Sequence, residues 1–198
     1  MRRKRNYIIS ILILAILLIA WLAHVLSFNK RLLGRDEIPI INYKVGEWVP
    51  FGNNFSYDGY KPGFKMKANS YYIMDTKDYL KKIHKLETDI EYKSEKVCIV
   101  SMTIRYDGSK KEERIDFSNY IMCGMNYTDS FNEELYNWGN KAKSTRYRFK
   151  PGISMTVDFV YNLSKSTYTS YNWKHLDRLN RRIFITGKPE QKQIVLQE

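Results

Sequence analysis

The residues able to do chemistry are few and far apart. Beyond position 30 the chain has two histidines, His84 and His175, and two cysteines, Cys98 and Cys123. A zinc site takes three or four N, S or O ligands, usually as close pairs in sequence. Neither histidine has a second His or Cys at such a spacing, so no metal site is expected. A thiol nucleophile with a histidine base is conceivable for Cys98 or Cys123 with His175. Both cysteines fall in apolar, strand-like runs, however, where a buried thiol is inert. Asp116 and Asp158 lack the spacing of a glycosidase pair, and neither a glycine-rich phosphate loop nor His-Glu-x-x-His occurs. No catalytic residue and no cofactor are expected, and the chain reads as a non-enzyme.

Two readings of the cysteines stay open. They could bridge across a sandwich in an oxidising exterior, or serve as small buried hydrophobes. Asn54-Phe55-Ser56, Asn126-Tyr127-Thr128 and Asn162-Leu163-Ser164 fit a glycosylation pattern and are taken as chance.

Aromatic residues are the better lead. Tyr168, Tyr171, Asn172 and Trp173 stand together in Thr167–Trp173, mixed with Ser and Thr. Rigid rings beside small adaptable polar groups make up many binding loops, so these four residues are the candidate recognition loop. Tyr57, Tyr60, Tyr71 and Tyr72 add further rings. The competing reading is that all of them pack over the ends and edges of a β structure.

The elements that must position these residues are mostly strands. Phe64–Met74, Lys96–Tyr106 and Ile153–Tyr161 alternate apolar and polar residues with period two. Ile115–Met125, Thr145–Phe149, Arg182–Thr186 and Gln193–Leu196 add shorter runs, separated by turn residues. One helix is predicted over Thr76–Leu86, capped by Asp75, with Tyr79, Leu80, Ile83 and Leu86 on its apolar side. Seven or eight strands with one short helix predict an all-β, mainly antiparallel, Ig-like sandwich over residues 44–198.

Ahead of it lies an apolar run, Tyr7–Phe28, preceded by Arg2-Arg3-Lys4-Arg5. As a helix this run would reach roughly 33 Å, enough to cross a hydrocarbon core. The basic cluster places residues 1–6 in the cytoplasm and the remainder outside. His24 falls near the outer interface. Cleavage is the competing reading, but Val25-Leu26-Ser27 is a poor site, so the run is expected to be a signal anchor. Residues 29–43 then form a stalk.

The chain has 33 basic and 21 acidic side chains, and five of the basic but none of the acidic lie in the first 30 residues. The external part thus keeps a positive excess, suited to an anionic envelope polymer. An exterior location excludes nucleic acid.

Several pieces together carry a resemblance: the basic anchor, Val45-Gly46-Glu47, Phe51-Gly52-Asn53-Asn54-Phe55, Gly59-Tyr60, and Ile183-Phe184-Ile185-Thr186-Gly187-Lys188-Pro189. The chain resembles a family of single-span proteins of Gram-positive bacteria defined by a domain of unknown function. It is similar, more distantly, to telokin-like immunoglobulin-fold lipoproteins and secreted antigens. The resemblance covers most of residues 43–197 and implies a fold and a location but no catalytic residues. Unlike the lipoproteins, this chain has no cysteine just after the apolar run. The expected function is a membrane-tethered extracytoplasmic module that binds a protein or envelope component. The alternative is a structural or accessory subunit of an envelope complex, associating through its membrane helix.

Overall fold

Period-two alternation forms the strands it predicts, and the departures from it show where other elements land. The computed structural model describes residues 14–25, 38–91 and 93–197, and the chain divides into two units, residues 1–38 and 39–198. In the first, residues 14–25 form helix α1, with Leu14, Ile19 and Trp21 exposed. The expected span Tyr7–Phe28 runs outside the described residues at both ends, as do segment 1–6 and stalk residues 29–37. Among the described residues, no helix is long and apolar enough to cross a membrane.

The second unit is mostly β. In chain order it holds β1 (Ile40–Lys44), β2 (Val49–Pro50), β3 (Phe55–Ser56), β4 (Gly59–Tyr60) and β5 (Phe64–Asp75), then helix α2 (Thr76–Lys82). Next come β6 (Lys96–Tyr106), β7 (Glu113–Asp116), β8 (Met122–Cys123), β9 (Thr128–Asp129), α3 (Glu133–Gly139), β10 (Arg146–Phe149) and β11 (Ser154–Leu163). Helix α4 (Ser170–Lys174), β12 (Arg182–Thr186) and β13 (Gln191–Val195) complete it.

The first sheet has the order β11-β6-β5-β2 and is antiparallel throughout. The second has the order β1-β13-β12-β8-β9, with β1 parallel to β13 and the other neighbours antiparallel. Two further two-stranded sheets form, the β3-β4 hairpin and the long-range antiparallel pair β7-β10. Cys98, Val100, Met102 and Ile104 of β6 share one core with Ile183, Ile185 and Ile194 of the second sheet. Phe64, Phe117, Phe149, Phe159 and Tyr161 fill it, each worth roughly 1.5–3 kcal/mol of transfer free energy.

Two local facts break the simple alternation. A bulge between Ala68 and Ser70 reverses the parity of β5. Phe64, Met66 and Ala68 face the core before it; Tyr71 and Ile73 do so after it. At the far end of β6, Val97 and Ile99 are buried on the outer face as well. Tyr79 and Leu80 of α2 and Leu135 of α3 cover them there, together with Val160, in a second small core.

Several expectations need correcting. Among its described residues the unit has three α-helices, not one. Helix α3 forms because the Asn132 side chain accepts from Leu135 N at 2.8 Å and Glu133 and Glu134 occupy the first turn. Helix α2 ends at Lys82, not Leu86. His84 adopts φ 57° and Lys85 N bonds Leu80 O at 2.9 Å, a left-handed cap, and Leu86 is left exposed. Asp75 makes no side-chain cap; it pairs with Lys96 at 3.1 Å. Residues 40–43, expected as stalk, belong to β1. Its apolar and polar alternation pairs in register with Gln191–Val195, so the folded unit begins at Pro39.

Candidate functional site

The connection from β11 to β12 contains the expected recognition loop. Thr169 accepts from Asn172 N at 3.2 Å and so starts α4. That turn sends the four residues in different directions. Tyr168 is buried, and Trp173 is half-buried against its ring at 5.9 Å. Asn172 is half-buried, and its backbone serves the cap. Tyr171 is exposed and lies 4.7 Å from the His175 ring.

What holds the inner side is a pair of buried charges that sequence reasoning missed. Asp129 on β9 and Arg181 are each 1 % exposed. The Tyr168 hydroxyl donates to Asp129 Oδ1 at 2.5 Å, and Arg181 Nε stands 4.0 Å from Asp129 Oδ2. Arg181 also donates through Nη1 to the Leu176 carbonyl and lies over the Tyr127 ring. Burial pushes the Asp129 carboxyl up to about 6, against the opposing pull of the Tyr168 hydroxyl and Arg181. Asp129 Oδ2 and Arg181 Nε and Nη2 have no hydrogen-bond partner. Such a pair is a poor source of net stability but costly to split, so its effect is to pin the connection in place.

The residues weighed for catalysis are dispersed. Cys98 and Cys123 are free thiols. Cys98 lies in the core, where burial lifts its thiol to about 12, and burial raises Cys123 as well. For Asp116, burial acts upward but is outweighed by hydrogen bonds from Ser118, Arg146 and Thr145, which hold the carboxyl low. Asp158 takes its backbone partners from Asn140. Among the described residues, no group of three His, Cys, Asp or Glu is placed to hold a metal.

Two surfaces offer more. At the β12–β13 turn, the β3-β4 hairpin carries Phe55, Tyr57 and Tyr60, which are 57 %, 60 % and 46 % exposed. Gly59 permits its tight turn with φ 91°. Phe55 N bonds Lys188 O and Gly187 N bonds Phe55 O, both at 2.7 Å. Phe55, Ser56, Tyr57, Gly187 and Lys188 line a mainly apolar cavity of about 280 Å³.

The other surface is the half of the first sheet that α2 and α3 leave bare. Before the bulge, Lys65 and Lys67 point outward from β5, and both ammonium groups lie 5.1 Å from the Trp48 ring. Beside them Asn69 donates to Thr103 Oγ1, and the Thr103 and Thr156 hydroxyls bond each other, both at 2.9 Å. Arg105 and Lys65 share Asp107 at 2.8 and 2.9 Å. Two lysines spaced by two on the polar side of a strand were the available signal. The bulge that limits this face had none.

No curated protein matches the sequence. One solved structure is similar, that of a functionally unknown protein from Listeria monocytogenes EGD-e, at 12 % identity. The match covers 75 % of this chain and 85 % of that one, with a TM-score of 0.43. The profile of a domain of unknown function, DUF5028, matches residues 40–192. That stretch runs from the first residue of β1 into β13, and the chain belongs to the DUF5028 family.

Proposed function

We propose that the chain is a membrane-tethered extracytoplasmic binding module without catalytic chemistry, and that the bare half of its first sheet takes an anionic envelope component. The observation that carries this is Trp48 bracketed by Lys65 and Lys67 beside the Asn69–Thr103–Thr156 ladder. The face offers three cations, Lys65, Lys67 and Arg105, against two carboxylates, Asp107 held between Lys65 and Arg105 and Asp158 two residues along β11 from Thr156. An aromatic edge, hydroxyl and amide donors and a positive excess fit a polymer of phosphate and polyol units. The tether is supported by the basic cluster before Tyr7–Phe28 and by the exposed apolar side chains of α1. An immunoglobulin-like sandwich is supported by the strand order: β5, β6 and β11 stand as A, B and E do, and β8, β12 and β13 as C, F and G do.

The test uses the full chain in lipid nanodiscs and poly(glycerol phosphate) as probe, with neutral dextran as control. Binding should favour the anionic polymer and weaken with salt. Lys65→Glu with Lys67→Glu should weaken it at least about tenfold, ~1.4 kcal/mol. Equal binding by the double variant, or equal binding of dextran, rejects the assignment of this face. The accessory-subunit reading draws on the same exposed side chains of α1. It predicts that partner capture requires residues 7–28 and is indifferent to Lys65 and Lys67.

A further inference from the structure

Four of the large apolar side chains that the folded unit exposes lie together at one end. Nine large ones are exposed among its described residues: Ile40, Phe55, Tyr57, Tyr60, Tyr72, Leu86, Met125, Ile153 and Tyr171. The first four belong to β1 and the β3-β4 hairpin, the elements joined to the β12–β13 turn. Phe55 bridges Lys188, Glu190 N bonds Asn54 Oδ1 at 3.1 Å, and Gln191 N bonds Pro39 O at 2.9 Å. The aromatic hairpin and the point where the chain enters the folded unit therefore flank the same five residues, Gly187–Gln191.

We infer that this end rests on the membrane, with Phe55, Tyr57 and Tyr60 in the boundary between headgroups and acyl chains. The inference depends on the tether proposed above. Ten residues separate Phe28 from Pro39, and a fully extended chain of that length reaches at most about 35 Å. The entry point therefore stays within about 35 Å of the bilayer, and the surface around it is the part of the folded unit tethered nearest to lipid. Rings with a polar tip favour that interface, and tyrosine is enriched there. Lys188 is exposed beside the rings and lines the same apolar cavity, which places a cation toward anionic headgroups. An apolar patch of this kind on a water-facing surface needs a partner. Here the chain's own length supplies one.

The experiment uses the full-length protein reconstituted in phosphatidylcholine–phosphatidylglycerol vesicles. With Cys123→Ser, and Cys98 shielded in the core, a Tyr57→Cys variant carries a polarity-sensitive fluorophore; a Tyr171→Cys variant is the comparison. Flotation after a urea wash is measured first, because a chain that fails to float rejects the tether and this inference together. In chains that float, spin-labelled lipid should quench the label at 57 several-fold more than the label at 171, with a blue-shifted emission. Equal quenching at the two positions overturns the inference and leaves the tether standing. A blue shift at 57 without lipid quenching also overturns it, because the ring then meets protein.

Discussion

At the end of β12 where the chain arrives, Tyr168 and Trp173 turn inward; at the end where it leaves, Phe55, Tyr57 and Tyr60 stay exposed. The two ends draw on the same residue types. They differ in what lies beneath the rings. Under Tyr168 sits a buried carboxylate that its hydroxyl reaches at 2.5 Å, while Tyr60 at the hairpin reaches only the surface side chain of Asn53 at 3.1 Å. A ring with an amphipathic tip is buried when the fold supplies a partner for the tip. Composition alone does not decide its direction. The charged pair, more than the aromatic content, distinguishes a packed connection from an exposed patch.

The sharpest way to break this contrast is to remove the anchor. Asp129→Ala leaves Arg181 as a buried cation without its carboxylate, and a split buried pair costs about 3–5 kcal/mol. Urea unfolding of the full chain in detergent measures it. The same variant should raise the reactivity of Cys98 toward a thiol reagent at low urea by loosening that end locally. A loss under about 1 kcal/mol, within the range of ordinary surface substitutions, would show that the connection holds without its anchor.

The anchor was invisible in the sequence. Arg181 lies in Asn180-Arg181-Arg182, which has the look of a solvated basic stretch, yet Arg181 is buried and Arg182 half-buried. Asp129 precedes a serine and has no partner nearby in the chain; its partners lie 39 and 52 positions away. Long-range ion pairs leave no local pattern. The strands are different, because period two is local: β6 and β12 occupy the predicted residues, and β11 lies within a residue or two of them. Helix α3 carried a readable signal, Asn132 followed by two glutamates. Of the site surfaces, the outward Lys65 and Lys67 were legible in the alternation of Phe64–Met74, but not their pairing with Trp48.

A smaller effect sharpens the contrast through pH. Burial lifts Asp129 from the ordinary 3.8 to about 6, so the folded state holds this proton more tightly than the unfolded chain. Its contribution to stability is complete below 3.8 and is lost as pH rises through about 6. Glu113, held low by its hydrogen bond from Lys110, acts in the opposite sense and loses its contribution as pH falls. The comparison must therefore be made against Asp129→Asn, which leaves Glu113 unchanged. The stability of the wild type relative to that variant should fall between pH about 4 and 6 and level off above about 7. A difference that does not vary with pH would mean that Asp129 is ionised in the fold without cost.

The smallest expected effect belongs to the hairpin. Tyr57 is 60 % exposed at the turn, and the hairpin is held by backbone bonds to Gly187 and Lys188 and by the Ser56 hydroxyl on Gly59 O at 2.9 Å. Truncating the ring leaves all of these in place. Tyr57→Ser should change unfolding stability by no more than about 0.5 kcal/mol, as surface substitutions do. The same change at the other end, Tyr168→Ser, removes a buried ring and the hydrogen bond to Asp129, a cost of several kcal/mol. If both variants cost the same, the hairpin ring belongs to the packed structure and the contrast fails. If Tyr57→Ser is neutral, the ring has no role in holding the fold, and its exposure has to be explained by what it meets outside.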